Sequence, residues 1–268
     1  MENSIPEIVA VDVETTGLYP EEKDRICEIA LLKIKDGRII DKFVTLVNPE
    51  REISYPAYLV NGITDKMVED APTFKEIAED VFNFIKDEIL LIHNAKFDIS
   101  FLDYELRRSG LYLPDFKLID TLKIARRFFN FPSNSLKDLA SYYLKIQQEN
   151  FHRAEFDAKT AYDIFTILYE ELKKRNIYFE SLLSDGKNIE RNLKPEDILP
   201  PSVLENLGRG EKIRIRYIGR SGESLREIYP IRIEKEKGVY YLVAFCCLRE
   251  EERKFRLDRI REVIENIE

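Results

Sequence analysis

The apolar residues of this chain come in two rhythms. Residues 7–13 are apolar at nearly every position, which suits a strand buried on both faces. The exceptions are Glu7, at its start, and Asp12. Residues 25–35 (RICEIALLKIK) and 39–47 (IIDKFVTLV) predict two more strands. They are joined by Asp36-Gly37, a dipeptide that favours a two-residue hairpin. Thr73 and Glu76 have the spacing of a capping box and open an amphipathic helix that should run to about Lys86. Residues 89–92 predict a short buried strand, residues 99–108 a helix stopping at Gly110, and residues 117–120 another strand. Helical spacing returns over 121–129, 135–144 and 154–174. Three strands followed by helices and short strands predict an α/β fold on a mixed sheet.

The rhythm changes after residue 184. Residues 185–201 are polar and end in Pro200-Pro201, which marks a domain boundary. Strands are predicted over 212–218, 225–234, 239–248 and 253–257, with a turn at 219–222 and a final helical turn or two from Asp258. Regularly spaced short strands point to a small barrel or a strongly bent sheet. The expected division is a first domain over 1–180, a linker over 181–205 and a β domain over 206–268.

Composition narrows the class. A chain of 268 residues with 44% hydrophobic content can build a packed core, so disorder is not the default. The net charge of −8 is uneven: from Asn206 onward 15 basic residues face 12 acidic ones, a net of +3, and the remainder carries −11. An acidic body can still handle a polyanion if metal ions neutralise it locally. The polar, acidic start Met1-Glu2-Asn3-Ser4 is not expected to be a secretory signal. The apolar run 239–248 is too short to cross a bilayer, so no membrane association is expected. Three cysteines cannot form a disulfide framework, which points to a reducing cytoplasm.

The chemistry begins at Asp12 and Glu14. Two residues apart on a strand, they share a face with backbones about 6.6 Å apart. Bedded among Val and Ala, they repel each other and resist desolvation, so a divalent cation should sit between them. Alone, such a pair is more commonly a surface salt-bridging pair. Two more acids join it. Asp98 follows the strand at 89–92 and opens a helix, and Asp157 lies five residues after His152. Five residues on a helix rotate about 140°, so His152 and Asp157 share a cleft only if His152 is on the loop and the helix begins near Ala154. Asp157 would then lie in the first turn, where the helix dipole favours a carboxylate. Four carboxylates and an imidazole form a two-metal phosphoryl-transfer constellation. All-oxygen ligands select two divalent cations, Mg²⁺ or Mn²⁺. Neutral His152 can take the proton of an attacking water. His93 reads as a hydrogen-bonded structural histidine, and Asp103 and Asp163 as solvated or helix-pairing groups.

Three stretches carry a resemblance: Asp12-Val13-Glu14-Thr15-Thr16-Gly17, His93-Asn94-Ala95-Lys96-Phe97-Asp98, and His152-Arg153-Ala154 with Asp157. In order and spacing they resemble the motifs of DEDDh-type 3′–5′ exonucleases, relatives of the bacterial polymerase proofreading subunit and RNase T. The resemblance spans about residues 5–172. Asn61-Gly62-Ile63-Thr64 also matches, although the family often carries His at the position of Asn61. The resemblance implies an RNase H-like fold, a five-stranded mixed sheet flanked by helices. It implies that Asp12 bridges both metals, that Glu14 and Asp157 complete one site, and that Asp98 serves the other. It implies His152 as general base, Thr15 and Leu18 against the terminal nucleotide, and Phe97 lining the pocket. The implied substrate is nucleic acid, single-stranded 3′ ends foremost.

Residues 213–260 resemble a WYL domain, an SH3-like β-barrel thought to bind nucleic acid or a nucleotide-like ligand. Tyr240-Tyr241-Leu242 stands at the name-giving triplet, with Tyr for the usual Trp. The segments around Leu225–Pro230 and Arg253–Ile260 match its flanking motifs. Arg226, Arg253, Arg256 and Arg259 could bind phosphates, with Tyr217 or Tyr240 stacking on a base. The bland alternative pairs these arginines with nearby Glu and Asp on a solvated face. Two other readings of the whole remain: a non-enzymatic, ligand-responsive nucleic-acid-binding regulator on an exonuclease scaffold, and a proofreading or repair subunit with a polymerase partner. Oligomeric state is not legible.

Overall fold

The computed structural model describes residues 5–146, 152–186, 189, 194–219, 222–236 and 238–264. Part of the expected 181–205 linker (187, 188 and 190–193) lies outside the described residues. The chain divides into two compact units, Met1–Leu18 with Lys23–Ile189, and Tyr19–Glu22 with Glu190–Glu268.

The first unit opens on β1 (Ile8–Thr15), β2 (Ile26–Lys35) and β3 (Arg38–Leu46), which run antiparallel in sequence. Asp36 and Gly37 both take positive φ, 49° and 74°, the backbone that a two-residue hairpin between twisted strands requires. Next come α1 (Tyr55–Asn61), α2 (Asp65–Val68), α3 (Phe74–Ile85), β4 (Ile89–Ile92), α4 (Ala95–Arg108) and β5 (Lys117–Asp120). The carboxylate of Glu76 accepts the N–H of Thr73 at 2.7 Å and caps α3. The unit ends with α5 (Thr121–Phe128), α6 (Leu136–Leu144), α7 (Ala154–Lys173) and β6 (Ser184–Asp185). The strand order is β3-β2-β1-β4-β5-β6, with β4 parallel to β1, β5 parallel to β4, and β6 antiparallel to β5. Where five strands are expected, a sixth, two-residue strand is added at the edge of β5. Such a short pairing leaves no periodicity to read.

Alternation along β1 builds the two faces of the core. Ile8 and Ala10 join α5, α6 and α7 on one side, and Val9, Val11 and Val13 join α3 and α4 on the other. Burying each of the large side chains contributes about 1.5–3 kcal/mol. The same alternation sends Asp12 and Glu14 to the α7 side. Helices α1 and α2 are not expected from the apolar pattern. The signals for α1 are local: Ser54 Oγ accepts the N–H of Ala57, Pro56 sits in the first turn, and Gly62 closes the helix at φ 67°.

The second unit holds α8 (Pro201–Glu205) and five antiparallel strands: β7 (Ile213–Gly219), β8 (Gly222–Glu236), β9 (Val239–Cys246), β10 (Glu251–Arg256) and β11 (Ile260–Ile264). Their order is β10-β9-β8-β7-β11. The helical ending expected from Asp258 is instead one 3₁₀ turn, Leu257–Arg259, followed by β11. The spacing of Ile260, Val263 and Ile264 suits a helix, but the free edge of β7 captures the segment by backbone pairing. Among the described residues, no helix is long and apolar enough to cross a membrane.

Candidate active site

Three elements converge at the end of β1. Asp12 and Glu14 leave the strand on the α7 side, and Glu14 stands opposite Glu28 of β2. α7 starts at Ala154, and His152 precedes it on the loop with a left-handed backbone, φ 72°. The N–H of His152 donates to Asp157 Oδ2 at 2.9 Å, folding the loop back over the first helical turn. One ligand atom each from Glu14, His152 and Asp157 lies within 4.8 Å of the others. Asp98 arrives from the first turn of α4, after a left-handed turn at Asn94 (φ 73°). It is 3% exposed, and its Oδ1 accepts the N–H of Val13 at 3.1 Å. That bond ties α4 to the one β1 residue between Asp12 and Glu14.

The electrostatics are those of carboxylates crowded in a poorly hydrated place. Burial, then the charges of Asp98, Glu14, Asp157 and Glu28, hold Asp12 well above the usual carboxylate range. Glu14 is pushed up to about 8, chiefly by burial and by Asp157, while the Asn61 amide pulls the other way. Burial pushes Asp98 up to about 8 against the hydrogen bonds from its own and Val13's N–H. Asp157 is pushed up to about 6, again by burial first. His152 moves oppositely: burial, then the charge of Lys137, lowers it, so the imidazole is neutral at pH 7. The residues fit a divalent cation. Asp157 Oδ1 is buried with no hydrogen-bond donor among the described residues, and clustered carboxylate oxygens suit a hard cation.

The loop beyond β1 is built for close approach. Thr16 and Arg25 exchange bonds, Thr16 N–H to Arg25 O at 2.9 Å and Arg25 N–H to Thr16 Oγ1 at 3.0 Å. A Cβ on Gly17 would meet the Asp24 carboxylate at 2.2–2.5 Å, so no larger residue fits without displacing it. Thr15 is buried, its hydroxyl donating to Gly17 O at 2.6 Å, while Leu18 is 64% exposed. Phe97 is half-buried against Phe101, ring centroids 5.0 Å apart. Asn61 Nδ2 donates to Thr15 O at 3.2 Å, and its Oδ1 accepts the N–H of Ile63 at 3.0 Å. His93 stands apart from the cluster, its Nδ1 2.8 Å from Thr121 Oγ1 and its Nε2 3.0 Å from Asn134 O. Asp103 is buried and pairs with Arg107, and Asp163 pairs with Lys159, each one helical turn away.

Two residues of this region escape sequence reasoning. Glu28 is buried across from Glu14, and Arg153 reaches it from the start of α7. A signal for Glu28 existed: it is the one charged residue in the run Ile26 to Leu32. In the second unit, Arg256 is bound by both oxygens of Asp258, at 3.0 and 2.6 Å, and Arg253 lies 3.8 Å from Glu251. Arg226 stands across from Ile215, and Arg259 occupies the 3₁₀ turn.

A mixed sheet with four carboxylates and a histidine gathered at one strand end defines the class, an RNase H-like α/β nuclease fold. The family model described as "Exonuclease" matches residues 9–165, and the chain belongs to that family. The WYL domain model matches residues 202–265. "3'-5' exonuclease DinG" of Bacillus subtilis is 36% identical over 169 residues, covering 62% of this chain and 18% of that protein. "DNA polymerase III subunit epsilon" of Buchnera aphidicola is 39% identical over 166 residues, covering 58% of this chain and 71% of that protein. The chain thus spans under a fifth of the first of these relatives. Among solved structures, Exonuclease X in complex with 5′ overhanging duplex DNA aligns with a TM-score of 0.50 at 26% identity, over 66% of this chain and 97% of that one.

Proposed function

We propose that this protein is a metal-dependent 3′–5′ exonuclease that releases nucleoside monophosphates from nucleic-acid 3′ ends. The observation that carries the reading is the meeting of Glu14, His152 and Asp157 within 4.8 Å, beside Asp12 and Asp98. Asp12, Glu14, Asp98 and Asp157 would hold two divalent cations, Mg²⁺ or Mn²⁺. Such cations supply Lewis acidity at the scissile phosphate and lower the pKa of water. The chain's own groups do the rest. Neutral His152 accepts the proton of the attacking water. Asp157, bonded to the His152 N–H, fixes the imidazole's loop over the site. Exposed Leu18 wedges against the terminal base, with Thr15 and Phe97 shaping the pocket.

Residues 1–180 carry the chemistry in this reading, and residues 206–268 grip the strand. The relatives' names and the DNA in the Exonuclease X complex favour DNA as the polymer, with a replication or repair partner. We further propose that the second unit's sheet curls into an SH3-like barrel, the register shift in β8 between Pro230 and Arg232 supplying the bend. Arg226, Arg253, Arg256 and Arg259 are its proposed phosphate ligands. Because Arg256 already serves Asp258, a phosphate must compete with that carboxylate there.

The test is mononucleotide release from a 5′-labelled oligonucleotide with Mn²⁺. Asp12→Ala should lower release by roughly 10³-fold or more while the protein stays folded, and chelation should stop the wild type. Full activity in the variant would remove the assignment.

A further inference from the structure

We infer that Glu28 and Arg153 form a positioning clamp that holds His152 and the first turn of α7 in register with Glu14. The inference rests on the exonuclease reading for its consequence, and on hydrogen-bond geometry for its existence.

Glu28 is 3% exposed among the apolar residues that open β2, where an unpaired carboxylate would be strongly disfavoured. Its partners among the described residues come from one place. Oε1 accepts from Arg153 Nη2 at 2.6 Å and Nε at 3.1 Å, and Oε2 accepts from Arg153 Nε at 3.1 Å and the Ala154 N–H at 3.0 Å. The Ala154 N–H is one of the donors that a helix start leaves without an intrahelical acceptor. Residues 153 and 154 are therefore pinned to β2, in the position opposite Glu14.

That anchor has a specific load. His152, the next residue back, is a non-glycine at φ 72°, a conformation that persists only where the surroundings over-determine it. Its N–H is held by Asp157 from one side, and its following residues are held by Glu28 from the other. Neither Glu28 nor Arg153 belongs to the group of atoms that could bind a cation together with His152. Their part is to place those atoms. A planar guanidinium bonded at two nitrogens suits this better than an ammonium, because it fixes direction as well as distance.

The test uses the full-length chain with Glu28→Gln, Arg153→Ala and Arg153→Lys. Three quantities are read: kcat and KM for Mn²⁺-dependent release from a single-stranded oligonucleotide, the imidazole ¹⁵N–¹H NMR signals, and the melting curve. The chain has two histidines, so the His152 signal is read against His93 as an internal reference. Glu28→Gln and Arg153→Ala should lower kcat on the order of 10²-fold, as a small displacement of a catalytic group does. KM should stay within about twofold, since the clamp does not touch the bound ground state. The His152 signals should shift while those of His93 stay. Arg153→Lys should recover part of kcat.

Cooperatively folded variants with wild-type kcat and an unmoved His152 signal overturn the clamp. So does a lower melting temperature with kcat per folded molecule unchanged, which is plain helix anchoring. If Glu28→Gln and Arg153→Ala do not fold, Arg153→Lys decides by the same two readouts. A wild type that releases no nucleotide, with His152 signals that respond to the substitutions, removes the exonuclease reading and keeps the clamp.

Discussion

Four carboxylates gathered at one strand end oppose folding unless protons or cations join them. Their titration sets the direction of the pH effect. Unfolded, such groups titrate near pH 4. Folded, Asp157 rises to about 6 and Glu14 and Asp98 to about 8. Between those limits the native state binds more protons than the unfolded one, so stability falls as pH rises. The contribution is full below about pH 4 and is gone by about pH 8. The metal-free protein should therefore melt at a lower temperature at pH 8 than at pH 5. Added Mn²⁺ should raise the melting temperature more at pH 8, where protons compete less for the carboxylates. Calorimetry across that range checks it, and a flat profile with and without metal would remove the cluster. Asp12, Glu14, Asp98, His152 and Asp157 can be read from the chain by residue type and order. Glu28 stands out only as the charged residue of an apolar run; its role depends on Arg153, 125 positions away.

At the scale of elements, local signals set most boundaries. The Asp36-Gly37 turn forms as its dipeptide predicts, with open space around a Cβ at Gly37 but φ at +74°. Gly37→Ala should therefore cost about 1–2 kcal/mol through backbone strain alone. A lower denaturant midpoint with an unchanged m-value would show it. An unchanged midpoint would mean that the turn relaxes. β11 is where local reasoning fails. Its apolar spacing suits a helix, and an unpaired edge at β7 decides for a strand. β6 fails differently, since two residues hold no pattern at all. α1 could have been found from Ser54, Pro56 and Gly62, signals of capping rather than of periodicity.

For the whole molecule, the proposed division of catalysis and binding between the two units is tested by binding. Arg226→Ala combined with Arg253→Ala should weaken binding of a single-stranded oligonucleotide. Each phosphate-binding arginine removed should reduce the steepness of log K against log salt by about one, so the double variant by about two. Fluorescence anisotropy in the Asp12→Ala background separates binding from cleavage. Unchanged affinity and slope would take these arginines out of substrate binding. The ion pair of Arg253 with Glu251 makes this a strict test, because a phosphate there gains only the difference between itself and a carboxylate.

The sequence alone determined the alternation of β1, the hairpin after β2, the long helices and the five residues of the candidate site. Each of these is written in neighbours a few positions apart, or in residue types whose chemistry is narrow. Tertiary structure alone decided how His152 is presented. Its loop backbone, the Asp157 bond and the Glu28–Arg153 anchor all depend on β2 lying beside β1 and α7 starting over both. Distances across a sheet are set by how strands pair, and strand pairing is a property of the whole fold.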